Sequence, residues 1–140
     1  MTPAAVSDLP AIRGLLDAER LPSSDLDASL LSSFIVLRAD AEIHGVIGLE
    51  VLGEVALVRS LVVTQSQRGR GLGASLVQAV EKHANAAGVR TLYLLTTSAA
   101  DFFTSLGYRA IPRESAPVSI QQTSQFAGLC PSTAIVMVKP

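Results

Sequence analysis

The sequence predicts an α/β domain of the α+β kind, with a mixed antiparallel and parallel sheet flanked by helices. Three observations carry the prediction. Residues 34–63 hold three β-branched, apolar runs separated only by short turns; the last run leads through a glycine-rich loop into a long stretch of helical periodicity; and a further apolar run follows at once. At 140 residues one hydrophobic core suffices, so residues 1–140 are expected to form a single domain. Hydrophobic residues make up 49% of the chain and charged ones 16%, against about 25% charged in an average globular protein. That balance excludes intrinsic disorder for most of the chain.

Ser7-Asp8, followed by Leu9, Ile12, Leu15 and Leu16, reads as an N-capped amphipathic helix that stops before Leu21-Pro22. Ser23-Ser24-Asp25 is the expected cap of a second, short helix through Leu30 and Leu31. Phe34 to Arg38, Ile43 to Val51 and Val55 to Val63 read as an antiparallel meander turning at Ala39 to Glu42 and at Leu52-Gly53. A helix from Leu72 to Ala87, with Leu72, Leu76, Val80 and Ala84 on one face and Gly88 as its stop, separates the meander from a strand at Thr91 to Thr96. Strand, helix and strand in that order imply a parallel pair. A short helix from Ala99 to Leu106, a strand at Tyr108 to Ile111, a helical stretch near Val118 to Phe126 and a strand from Thr133 to Val138 complete the order.

Composition narrows the function. Eleven Lys and Arg against twelve Asp and Glu leave a net charge of -1, without the basic excess that neutralises a phosphate backbone, so nucleic acid is not an expected partner. His44 and His83 stand alone and Cys130 is the single cysteine, which argues against a metal centre or an internal disulfide. No apolar run approaches the roughly 18 residues of a spanning helix, and Met1-Thr2-Pro3 opens no basic-then-apolar leader. A cytoplasmic protein without membrane association is expected.

Chemistry concentrates between Leu61 and Ala74. Gly69, Gly71 and Gly73 sit where a helix begins, although each glycine costs a helix about 1 kcal/mol relative to alanine. Bare backbone at a helix N-terminus suits an anion, most simply a phosphate, because N–H groups without intrahelical partners meet the positive end of the helix dipole. No lysine lies in the loop, which excludes a P-loop. Gly69, Gly71 and Ala74 satisfy G-x-G-x-x-[GA], but the preceding meander and the strand ending in Thr96-Thr97 do not fit a dinucleotide-binding fold. Arg68-x-x-Gly71-x-Gly73 fits a third pattern.

That pattern, [QR]-x-x-G-x-[GA] between a meander and a long helix, resembles the GCN5-related N-acetyltransferases. The likeness extends over nearly the whole chain, including Phe102 to Tyr108, which is similar to the family's short helix ending in L-G-[FY]. Leu94-Leu95-Thr96-Thr97 with Phe102-Phe103, and the tail Ala127 to Ala134, resemble the arsenic-resistance (ArsN-type) acetyltransferases; the same L-T-T and F-F pattern is similar to the acetyltransferase domain of acetylglutamate synthases.

The resemblance implies acetyl-CoA as donor. By motif position, the loop of Gly69, Arg70, Gly71, Leu72, Gly73 and Ala74 holds the pyrophosphate through main-chain N–H groups, Arg68 or Arg70 lies near the adenosine phosphates, and main-chain groups of Leu61, Val62 and Val63 pair with pantetheine. Phe103, expected to touch the cofactor, stands where many relatives carry the tyrosine that protonates the departing thiolate, leaving Tyr93, Tyr108, a Thr or Ser hydroxyl or water for that task, or an unassisted departure with later protonation. Leu57 stands where the family often places a glutamate. Two-residue alternation from the neighbouring strand offers Glu50 as the replacement base, ahead of Glu54, with a solvated Glu50 as the alternative.

Arg59 interrupts an apolar strand and needs a partner. It either binds an acceptor carboxylate or pairs with Glu50. Thr96, Thr97 and Arg113 are further acceptor-side candidates. The expected activity is N-acetylation of a small amino-acid-like amine, in a context of arsenic or toxic-compound resistance. A protein or peptide acetyltransferase and a catalytically weak acyl-CoA sensor are the alternatives, and sheet-edge strands allow a homodimer.

Overall fold

The computed structural model describes residues 1–130 and 133–140. Seven strands form one mixed sheet: β1 (Thr2–Pro3), β2 (Phe34–Ala39), β3 (Glu42–Leu52), β4 (Val55–Val63), β5 (Thr91–Thr96), β6 (Arg109–Ile111) and β7 (Ile135–Lys139), in the spatial order β1-β2-β3-β4-β5-β7-β6. The helices are α1 (Leu9–Ala18), α2 (Ala28–Leu31), α3 (Leu72–Ala86), α4 (Ala100–Ser105) and α5 (Val118–Gln121). The expected α/β architecture is present, and β4 and β5 run parallel as the intervening helix requires.

Two-residue alternation divides the strands between two layers. Ile35, Ile47, Leu49, Ala56 and Val58 face α3 through Leu76, Val77, Val80 and Ala84. On the opposite face Phe34, Val36, Val46 and Val62 meet Ile12 and Leu16 of α1, and further along Leu57 and Val136 meet Ile120 of α5. Among the described residues, no helix is long and apolar enough to cross a membrane.

Three local expectations are corrected. The β3–β4 turn is Gly53-Glu54 rather than Leu52-Gly53, because Gly53 takes the left-handed conformation (φ 73°) and Leu52 pairs with Val55. Glu50 lies opposite Leu57, the position whose missing glutamate it is expected to replace, and so occupies the expected face. The cap of α2 is Asp27, whose Oδ1 accepts from Leu30 N at 3.0 Å. Asp25 is thereby released for other work. At the N-terminus, Asp8 accepts from Ala5 N and pairs with Arg38 instead of capping α1 with its side chain.

Candidate functional site

β4 pairs with β5 only from Val55 to Leu57, against Thr91 to Tyr93. Beyond that point β5 follows β7, with Leu94 opposite Met137 and Thr96 opposite Ile135, while β4 follows β3. A bulge drives the parting: Ile47 faces both Ser60 and Leu61, and Ser60 takes φ 61°. The opening is a cavity of about 650 Å³ walled by both strands.

Hydrogen bonding fixes which backbone groups face it. Thr64 N donates to His44 O at 2.8 Å, and Val62 lies two residues back opposite Val46. By antiparallel alternation the main-chain groups of Leu61 and Val63 turn away from β3 into the opening. Val63 O there accepts from Arg68 Nε at 2.9 Å, and Val63 N–H remains a donor.

The glycine loop adjoins the cavity at the start of α3. Gly69 and Gly71 have φ of 82° and 73°, and a Cβ at either would meet no atom within 4 Å. Open space therefore lies over a backbone that only glycine holds without strain. Ser75 N is the first to find an intrahelical acceptor, Gly71 O at 3.1 Å. The N–H groups of Leu72, Gly73 and Ala74 are left pointing out of the helix end. Unpartnered N–H groups at a helix N-terminus beneath open space suit an anion such as a diphosphate. Arg68 lies across the mouth between Val63 O and Glu19, whereas Arg70 is exposed.

At the acceptor end the side chain of Arg59 is fully buried. Its Nη1 donates to Asp25 Oδ2 at 2.5 Å and Glu50 Oε1 at 2.7 Å, and Nη2 to Asp25 Oδ1 at 2.8 Å. Nε donates to Ser60 Oγ at 2.9 Å, and the Gln125 carboxamide, oxygen toward the guanidinium, accepts from Nη2 at 3.0 Å. All five N–H groups of a guanidinium are thus engaged. Burial alone lowers the Arg59 pKa, but hydrogen bonds to Asp25 and Glu50 outweigh it and the net shift is upward. Of the two expectations for Arg59, pairing with Glu50 is the one observed. No N–H remains for an acceptor carboxylate.

The other expected residues divide by position. Leu61, Val62, Val63, Arg68, Gly73 and Phe103 line the cavity, as do Thr96 and Thr97. Thr96 Oγ1 is occupied, accepting from Ala99 N at 3.0 Å. Phe103 packs edge-on against Phe102 and Tyr108, with centroids at 5.1 Å and 5.6 Å. Glu50 stands behind Arg59 rather than on the cavity wall. Arg113 is also off the wall: it donates to Ala134 O and Phe126 O, each at 3.3 Å, and covers the Phe126 ring at 4.5 Å, an anchoring contact rather than an acceptor contact. Tyr108 is buried against Glu81 and cannot protonate a group in the cavity.

Asp25, Gln125, Arg20 and Cys130 are the positions that pattern reading passed over. Burial pushes the Cys130 thiol upward in pKa, partly offset by the nearby Arg59 and Arg113. A buried arginine signals that acids must meet it. Nothing in the local spacing singles out Asp25 from a loop 34 residues away. Of the tail Ala127 to Ala134, Pro131 and Ser132 lie outside the described residues.

Residues 31–110 match the model of the acetyltransferase (GNAT) domain family. The chain belongs to the GNAT acetyltransferases. Among solved structures, the N-acetylglutamate synthase from Neisseria gonorrhoeae, complexed with coenzyme A and N-acetyl-glutamate, superposes with a TM-score of 0.84 at 19% identity. That match covers 98% of this chain and 34% of the synthase, so the chain spans about a third of the larger protein's length. Rv2747 from Mycobacterium tuberculosis, in complex with CoA and NLQ, gives 0.75 at 18% identity over 97% of this chain and 95% of that one. A GNAT-family acetyltransferase from Staphylococcus aureus gives 0.75 at 18% identity, over 97% and 94%. At these identities the likeness is one of fold, and this GNAT chain shares it from end to end.

Proposed function

We propose that this GNAT domain is an acetyl-CoA-dependent N-acetyltransferase acting on a small, amino-acid-like amine in the cytoplasm. One observation carries the reading: the parting of β4 and β5 opens a cavity that runs from the free N–H groups of the Gly69–Ala74 loop to the buried Arg59 cluster. The presence of CoA in the solved complexes of the synthase and of Rv2747, and of N-acetyl-glutamate in the former, supports it.

When bound, acetyl-CoA supplies the acetyl group as a thioester. The loop N–H groups of Leu72, Gly73 and Ala74 bind its diphosphate, with each charge-assisted hydrogen bond contributing about 1.5 to 3 kcal/mol. The backbone of Leu61 and Val63 orients the extended arm, and a main-chain donor at the parting of the strands stabilises charge that develops on the carbonyl oxygen. Glu50, paired through Oε1 with Arg59 and set back from the cavity wall, is the proposed base, taking the amine's proton through a water relay. A role in resistance to arsenic or another toxic compound belongs to the same proposal, supported only by the likeness of Leu94 to Thr97 and Phe102-Phe103 to ArsN-type acetyltransferases. Outer strands β1 and β6 offer the sheet edges on which a homodimer would pair.

A sensor that binds acyl-CoA without turning it over is the second reading, favoured by the salt bridge that engages Glu50 and by the absence of a phenol at Phe103. The two separate cleanly. Calorimetry with acetyl-CoA and thiol release with a panel of amines should show both binding and turnover. Binding with no thiol release from any small amine or peptide establishes the sensor, and no heat of binding defeats both readings.

A further inference from the structure

Three arginines line the cavity: Arg20, Arg59 and Arg68. Arg59 is consumed by Asp25 and Glu50, and Arg68 is paired with Glu19. Arg20 has neither an ion pair nor a side-chain hydrogen bond among the described residues, and it is exposed at the cavity's rim. Its backbone is left-handed, as it is at three other non-glycine residues, Asp40, Ala41 and Ser60.

Arg20 closes α1 in a Schellman cap. Leu21 N donates to Leu16 O at 2.9 Å, and Arg20 N to Asp17 O at 3.1 Å, which forces Arg20 to φ 57°. The same cap closes α3 and α4. There Val89 N donates to Ala84 O and Gly88 N to Asn85 O, while Tyr108 N donates to Phe103 O and Gly107 N to Thr104 O. Both of those caps place glycine at the left-handed position, at φ 85° and 98°. Only the cap at the cavity carries a side chain there, at a conformational cost that glycine avoids.

We infer that Arg20 binds the carboxylate of the acceptor, the task that its charge and its free guanidinium suit and that Arg59 cannot perform. A bidentate pair from the rim orients the acceptor with its amine inward, toward the parted strands and Glu50. The acceptor class is therefore an amine that also bears a carboxylate, and this inference rests on the acetyl transfer proposed above.

The test compares wild type with Arg20→Gly and Arg20→Lys, using free L-amino acids and the matching amino-acid amides as acceptors. Arg20→Gly should raise the KM for the carboxylate acceptor about ten-fold or more, with the KM for acetyl-CoA and the kinetics on the amide within about two-fold. Arg20→Lys should recover part of the loss, since a lysine keeps the charge without the fork. Arg20→Gly should also melt at a higher temperature, which separates the lost contact from any loss of fold. An unchanged carboxylate KM overturns the inference, and so does a rise confined to the acetyl-CoA KM, which would assign Arg20 to the cofactor's phosphates. Absence of thiol release from every amine defeats the proposed activity instead. In that case N-acetyl amino acids and their amides are titrated into the CoA-loaded protein, and equal affinity of wild type and Arg20→Gly for the carboxylate form overturns the inference independently.

Discussion

Arg59 and Asp25, on a central strand and on a loop 34 residues earlier, meet through two near-parallel contacts, Nη1 to Oδ2 at 2.5 Å and Nη2 to Oδ1 at 2.8 Å. The pair ties the Pro22–Asp27 loop to the bulge of β4 and, through Glu50, to β3. Replacing Arg59 with leucine leaves two largely buried carboxylates facing each other, and the expected loss is about 3 to 5 kcal/mol in urea unfolding. Asp25→Asn retains shape and leaves Glu50 to balance the guanidinium, so its loss should be smaller, about 1 to 3 kcal/mol. Equal, near-zero effects would mean that the cluster is solvated in solution.

The same pair shows where the sequence stops being legible. Period-two and helical patterning locate the strands and main helices, because burial of one face leaves a local signature. The glycine loop is also visible, since three helix-weakening residues together need an explanation. Arg59 announces its need for a partner by interrupting an apolar strand. The identity of that partner is a long-range fact, and Ser23-Ser24-Asp25 satisfies a capping rule that Asp27 satisfies better in three dimensions. Arg113 fails as an acceptor residue for a similar reason: the carbonyls of Phe126 and Ala134 that engage it come from irregular segments without periodicity. Arg20 is illegible for another cause, because a left-handed backbone at a non-glycine residue carries no mark in the sequence.

Gly71 and Gly88 stand at opposite ends of α3 with similar backbone angles, φ 73° and 85°. Valine at either position should cost about 1 to 3 kcal/mol of stability while leaving the helical circular dichroism nearly intact. Only Gly71→Val places a side chain in the cradle of free N–H groups. Acetyl-CoA binding measured by calorimetry should therefore vanish in Gly71→Val and persist in Gly88→Val. Loss in both would mean that binding reports fold stability rather than contact at the loop.

Asp8 sits with one carboxylate oxygen between Arg38 and the backbone N–H of Ala5. The hydrogen bond to Arg38, and after it the one to Ala5, hold its pKa below the usual 3.8, against a smaller opposing effect of burial. Because the folded state favours the ionised form, the contribution is present at pH values above the unfolded pKa and disappears as the pH falls through the folded one. The stability gap between wild type and Asp8→Asn should be constant near neutrality and close as the pH falls below about 4. A gap that persists at the acid end would show that the contact does not depend on charge.

Tyr108 is 2% exposed, and its hydroxyl donates to Glu81 Oε2 at 2.9 Å, an oxygen that also accepts from Lys139 Nζ at 2.9 Å. Burial first, and then the charge of Glu81, push its pKa far above 10. The unfolded phenol ionises near pH 10 while the folded one stays neutral, so folding stability falls as the pH rises past about 10, by at most roughly 1.4 kcal/mol per pH unit for one such group. Ultraviolet difference absorbance should show this phenol titrating only when the fold opens. Tyr108→Phe removes one neutral-to-charged hydrogen bond but leaves Lys139 to satisfy Glu81. Its expected cost near neutrality is about 1 to 2 kcal/mol, with a flatter alkaline limb. Turnover should be unchanged, since the hydroxyl points at Glu81 and not into the cavity; a large fall in kcat would restore Tyr108 as the group that protonates the departing thiolate.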